Sequence, residues 1–110
     1  MKFVFLNLHT LFYTLSDLKR HYTIEELSKQ YLMNTTTLKS VFKAVYGMPI
    51  ASYMKEYRMK SASNMLLQED KSISEIAAAV GYKSRSKFTS AFRDIFQILP
   101  TAYQKLYRNQ

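Results

Sequence analysis

Cations and hydroxyls alternate in two short stretches of this chain: Thr35, Thr36, Lys39, Ser40 and Lys43 in one, and Arg85, Ser86, Lys87, Thr89, Ser90 and Arg93 in the other. At helical spacing each set forms an outer face. Behind it lies an apolar stripe, Leu38, Val41, Phe42 and Val45 in the first stretch and Phe88, Ala91, Phe92 and Ile95 in the second. Lysine and arginine beside serine and threonine can donate charge-assisted hydrogen bonds to phosphate oxygens and reach acceptors on base edges. No acid interrupts either face until Asp94, although the chain has 8 Asp and Glu to place. The acids gather instead at helix starts such as Glu25, Glu26 and Glu75, where the helix dipole favours them.

The elements that must hold these faces are written twice. Thr23 to Pro49 and Ser72 to Pro100 keep step: Thr23 and Ser72 are 49 apart, Leu38 and Phe88 are 50 apart, and Pro49 and Pro100 are 51 apart. Each copy reads as two helices joined by a tight turn, the helix-turn-helix pattern that touches duplex DNA. Thr23-Ile24-Glu25-Glu26 and Ser72-Ile73-Ser74-Glu75 both fit a reciprocal capping box. Asn34 and Ser84 stand where they would cap the second helices. Leu27 and Tyr31, or Ile76 and Val80, point inward, with Ser28 or Ala77 allowing close approach, and the second turn is one residue longer and holds Gly81.

Between the copies, residues 49–68 predict one long helix starting at Pro49, with Ile50, Met54, Tyr57, Ser61, Met65 and Leu66 along one stripe. Its twenty residues would span roughly 30 Å at about 1.5 Å each, close to the ~34 Å repeat of B-DNA. Leu8, Leu11, Phe12, Leu15, Leu18 and Tyr22 predict an amphipathic first helix, and Thr101 to Arg108 a short last one with Tyr103 and Tyr107 on the same side. The expected fold is all-α, about seven helices in one domain of residues 1–110: a first unit over 8–48, the linker helix over 49–68 and a second unit over 72–108.

With 16 Lys and Arg against 8 Asp and Glu, the net charge of +8 fits a polyanionic partner. Cysteine is absent, which excludes disulfides and thiolate chemistry and fits a reducing, cytoplasmic setting. The opening apolar run is broken by Asn7, His9 and Thr10, lacks a small-residue cleavage site and is too short to span a bilayer. His9 and His21 are the only histidines, and the carboxylates form no convergent pair, so neither an enzyme nor a metal or cofactor site is expected. The 7 Phe and 9 Tyr admit single-strand or RNA stacking, but most sit at core spacing, which favours packing. Membrane-surface binding is disfavoured because the core needs the apolar faces.

The chain resembles the DNA-binding domain of AraC/XylS-type bacterial transcription regulators over Thr23 to Tyr103. The likeness rests on LKSVFKAVYGMP, on RMKSASNML with Arg58, Ala62 and Leu66, and on ISEIAAAVGYKSRSKFTSAFRDIF followed by Pro100 and Tyr103. It implies that the second helix of each unit enters the major groove of promoter DNA and regulates transcription. By position, Thr36, Lys39, Ser40, Ser86, Lys87 and Ser90 would contact base edges, and Asn34, Lys43, Ser84, Arg85 and Thr89 the backbone. It also implies a sensing or dimerisation domain in any longer parent. The isolated domain is expected to be a monomer, and RNA polymerase is a candidate second partner. A helical protein-interaction module contacting the transcription machinery is the alternative reading. The sequence departs from the family at Gln97, where glycine is usual and a differently built corner is therefore expected, and at Gln104, where an arginine anchor is usual.

Overall fold

Short polar side chains decide where these helices start. The computed structural model describes residues 11 and 14–108 and contains α1 (Ile24–Gln30), α2 (Thr35–Tyr46), α3 (Ile50–Gln68), α4 (Ile73–Ala79), α5 (Arg85–Phe96) and α6 (Pro100–Tyr107). Among the described residues there is no strand, so the all-α class holds. Ahead of α1, Leu11, Thr14 and Leu15 are helical, while Leu8 and Phe12 of the expected first stripe, with His9 and the Phe3 to Leu6 start, lie outside the described residues. That stripe does not continue to Tyr22. The chain leaves the helix at Ser16 and Asp17, residues whose side chains favour turns. The Asp17 and Arg20 amides then donate to the Thr14 and Asp17 carbonyls at 3.4 and 3.3 Å.

Caps fall where the repeat puts them, with one difference. Ser72 and Glu75 close the full box: the Glu75 amide donates to Ser72 Oγ at 3.1 Å, and the Ser72 amide donates to Glu75 Oε1 at 3.0 Å. Thr23 makes the first half, accepting from the Glu26 amide at 3.1 Å, while the Glu26 carboxylate stands 3.7 Å from Arg20. The hydroxyl thus starts both helices, but a competing cation holds the first unit's acid.

The chain divides into two compact units between Met54 and Lys55, inside α3. In the first, Leu11, Leu15, Leu27, Tyr31, Leu38 and Phe42 form the core, with Tyr22, Ile24, Met33, Tyr46, Ile50, Tyr53 and Met54 packed against it. Thr14 and the Tyr31 hydroxyl are hydrogen-bonded at its edge. Val45, expected in the stripe, is 57% exposed. Tyr46 replaces it because its ring stacks on Phe42 at 4.4 Å and meets Tyr53 at 5.0 Å, contacts a valine could not make.

In the second unit Met59, Ala62, Leu66, Ile73, Ile76, Ala77, Val80, Phe88, Ala91 and Phe92 are buried. The stripe expected along α3 needs correction: in this unit it buries Arg58, Met59, Ala62, Ser63 and Leu66, and leaves Tyr57, Ser61 and Met65 half-buried. One helix serving two cores cannot keep a single stripe. Arg58, 5% exposed, donates from Nη1 to the Val80 carbonyl at 2.8 Å and so satisfies a carbonyl at the end of α4. Gln104, where the departure from the family put a polar anchor in doubt, makes one: its Nε2 donates to the Leu66 carbonyl at 3.0 Å. Rings continue the core into α6: Phe92 meets Phe96 at 4.6 Å and Tyr103 at 5.4 Å, and Tyr103 meets Tyr107 at 4.9 Å.

Candidate nucleic-acid interface

Two helices present the proposed contacts, and each is fixed by its N-cap and by the aromatic side chains behind it. Asn34 Oδ1 accepts from the Thr37 amide at 2.7 Å, which starts α2, and Ser84 Oγ accepts from the Lys87 amide at 3.1 Å, which starts α5. Each bond satisfies one of the four amides that open a helix and leaves earlier ones directed outward. Asn34 and Ser84 therefore act first as caps, and any backbone contact they make is additional to that.

On α2, Thr36, Lys39, Ser40 and Lys43 are all exposed. They recur at i, i+3, i+4 and i+7, which makes one strip on the side away from buried Leu38 and Phe42. On α5, Arg85, Ser86, Lys87, Ser90 and Arg93 are exposed and Thr89 is half-buried, opposite Phe88 and Phe92. Within each helix the residues expected to meet DNA share an outward surface. At about 100° per residue, Lys87 lies toward one edge of its strip and Arg85 toward the other.

The two surfaces differ in charge. α2 carries Lys39 and Lys43 and no acid, whereas α5 carries Arg85, Lys87 and Arg93 together with Asp94. Asp94 Oδ2 accepts from Lys55 Nζ at 2.9 Å, an ion pair that ties α3 to α5 within the second unit. Nothing in the sequence links positions 39 apart on different helices, so this pair was invisible before the fold. Thr37 and Lys83 flank the proposed contacts. Both are exposed, Lys83 directly before Ser84 and Thr37 with its amide on the Asn34 cap. Burial raises the Tyr82 phenol above its ordinary 10.0, opposed by the Arg58 and Lys55 charges and reinforced by Asp94.

The aromatic side chains settle into packing. Phe42, Phe88 and Phe92 are fully buried, and rings from Tyr82 to Tyr107 meet one another at tilted or edge-to-face angles rather than forming an open platform for bases. Among the described residues no group of three or more His, Cys, Asp and Glu can hold a metal, and no helix is long and apolar enough to cross a membrane.

A family model for a helix-turn-helix domain matches residues 27–106, most of both units. The HTH-type transcriptional regulator ExsA of Pseudomonas aeruginosa is 34% identical over 88 residues, which cover 76% of this chain and 32% of that protein. A crystal structure of an AraC-type transcriptional regulator from Chromobacterium violaceum is similar at a TM-score of 0.76 and 26% identity, over 87% of this chain and 85% of that one. The DNA-binding domain of AdpA, crystallised with a target DNA, shares the fold at a TM-score of 0.85 and 24% identity, over 93% of this chain and 92% of that one. The chain spans about a third of the length of the curated relatives it matches.

Proposed function

We propose, from the premise that this chain belongs to the AraC/XylS-type helix-turn-helix family, that it binds double-stranded promoter DNA in a sequence-specific way and regulates transcription. Each unit offers one reading helix, α2 or α5, to a major-groove segment. Base edges fall to Thr36, Lys39 and Ser40 on α2 and to Ser86, Lys87 and Ser90 on α5. The backbone falls to Lys43, Arg85 and Thr89 and to the helix starts at Asn34 and Ser84. The observation that carries this reading is the repetition of one device: in both units a polar cap opens a helix whose buried aromatic side holds cations and hydroxyls outward. An ordinary solvated surface has no reason to repeat that arrangement.

The chemistry assigns the parts. Lysine reaches guanine O6 and N7, threonine and serine hydroxyls meet base edges while the threonine methyl can meet a thymine methyl, and amides at a helix start favour a phosphate oxygen. Selection of bound duplexes from a randomised pool tests the proposal. The expected motif has two blocks, one for each unit, whereas a pool that yields no motif contradicts sequence-specific recognition. Lys39→Ala and Lys87→Ala should each weaken binding to the selected site by about 1 to 3 kcal/mol and relax preference at one block. A uniform loss on all sequences would move these lysines to the phosphates.

Three further parts of the proposal extend beyond these two units. The isolated chain is a monomer, which sedimentation tests. RNA polymerase is a second partner, which surface variants that lose activation while keeping DNA binding would reveal. A sensing or dimerisation domain would belong to any longer parent; the chain spans 32% of its relative ExsA.

A further inference from the structure

Asp94 is the only acid in α5 and stands on the outward side of that helix, four residues after Ser90 and seven after Lys87. Its side chain is 64% exposed and its Oδ2 lies 2.9 Å from the Lys55 ammonium, delivered from α3. The first unit has nothing to pair at this place. Ala44, fifty residues earlier, is exposed on α2, which holds no acid.

We propose that Lys55 is a positioning residue for DNA recognition, masking the Asp94 carboxylate so that the second reading helix meets the duplex without a bare negative charge. This rests on the proposal that α5 enters a major groove. An unmasked carboxylate beside rows of phosphates repels each within a Debye length, about 8 Å at physiological salt. Summed over the nearest few phosphates at high dielectric, that repulsion amounts to about a threefold to tenfold loss of affinity. The pair itself is exposed and contributes little to folding, which leaves its effect on binding as its main consequence.

The experiment is a binding series on one selected duplex with wild-type chain, Lys55→Gln, Asp94→Asn, the double variant and Ala44→Asp, with thermal melts run alongside to establish folding. Lys55→Gln is expected to weaken binding about threefold to tenfold at low salt and to converge on wild type as salt rises, because the repulsion is screened. Asp94→Asn is expected to bind at least as tightly as wild type. The double variant should follow Asp94→Asn rather than Lys55→Gln, and Ala44→Asp, which places an unmasked acid on α2, should reproduce the salt-sensitive loss. If Asp94→Asn weakens binding as much as Lys55→Gln, the pair orients a contact or the carboxylate accepts from a cytosine, and masking is overturned. If Lys55→Gln binds like wild type, masking is also overturned while DNA binding stands. Failure of the wild-type chain to bind any duplex at low salt would instead overturn the functional reading beneath it.

Discussion

The two units need left-handed backbone at the same two places, and the chain places its 2 glycines at opposite ones. At the turn after the first helix, the second unit has Gly81 at φ 92°, while the first has Leu32 at φ 56°, with 82% of its surface in solvent. At the end of the second helix the first unit has Gly47 at φ 79°, while the second has Gln97 at φ 63°. The hydrogen bonds match regardless. Met33 donates to Ser28 and Tyr82 to Ala77 at 3.0 and 2.9 Å, and Gly47 and Gln97 donate to Lys43 and Arg93 at 2.8 Å each. The backbone path is therefore dictated by the buried residues on either side, and glycine relieves strain without being needed to create the turn. Gln97 offsets part of its strain, because its Nε2 donates to the Asp94 carbonyl at 3.0 Å.

Removing the packing should test this equivalence hardest. Phe42→Ala and Phe92→Ala, fifty residues apart and both fully buried, should each destabilise the chain by about 3 to 5 kcal/mol in urea unfolding. A small effect at either would mean that one unit does not depend on its ring as the other does. Arg58→Met comes next and strikes the second unit, removing the only buried cation among the described residues and leaving the Val80 carbonyl without that donor. A loss of about 2 to 3 kcal/mol is expected.

Exchanging the left-handed residues sharpens the comparison at smaller scale. Leu32→Gly should stabilise by up to about 1 kcal/mol, and Gln97→Gly by less, because its amide hydrogen bond is lost with it. Gly47→Ala should cost on the order of 1 kcal/mol through its backbone angle alone, since a Cβ there meets nothing within 4 Å. The capping difference gives the smallest effect and a pH signature. Bonds from the Ser72 backbone and side chain hold the Glu75 carboxyl below its ordinary 4.5. Its contribution is thus complete above that value and lost as the pH falls through the lowered one. Acid unfolding of Glu75→Gln should lack this component.

Periodicity and capping chemistry made both helix-turn-helix units legible, because hydroxyl caps and apolar spacing are local signals. Asn34, Ser84, Leu38, Phe42, Phe88 and Phe92 took their expected places for that reason. What escaped depends on contacts between elements. Tyr46 displaced Val45 by stacking on Phe42 and Tyr53, and α3 shifted its buried face because it serves two cores. Gln97 took the left-handed angle that its type disfavours, and Lys55 found Asp94 across 39 residues. Exposure on the outward strips could be read from sequence for Thr36, Lys39, Ser40, Lys43, Arg85, Ser86, Lys87 and Ser90, whereas the half-burial of Thr89 and the pairing of Lys55 with Asp94 could not.

The central claim is that these strips engage the phosphates and bases of duplex DNA, and the salt dependence of binding tests it most directly. Dissociation constants for one selected duplex, measured across a range of salt for wild type, Lys43→Ala and Arg85→Ala, should give straight lines in a log–log plot. Each neutralised phosphate should add about 0.9 to the wild-type slope, and each variant should lower that slope by about one contact's worth. A flat wild-type line, or variants that leave the slope untouched, would contradict it.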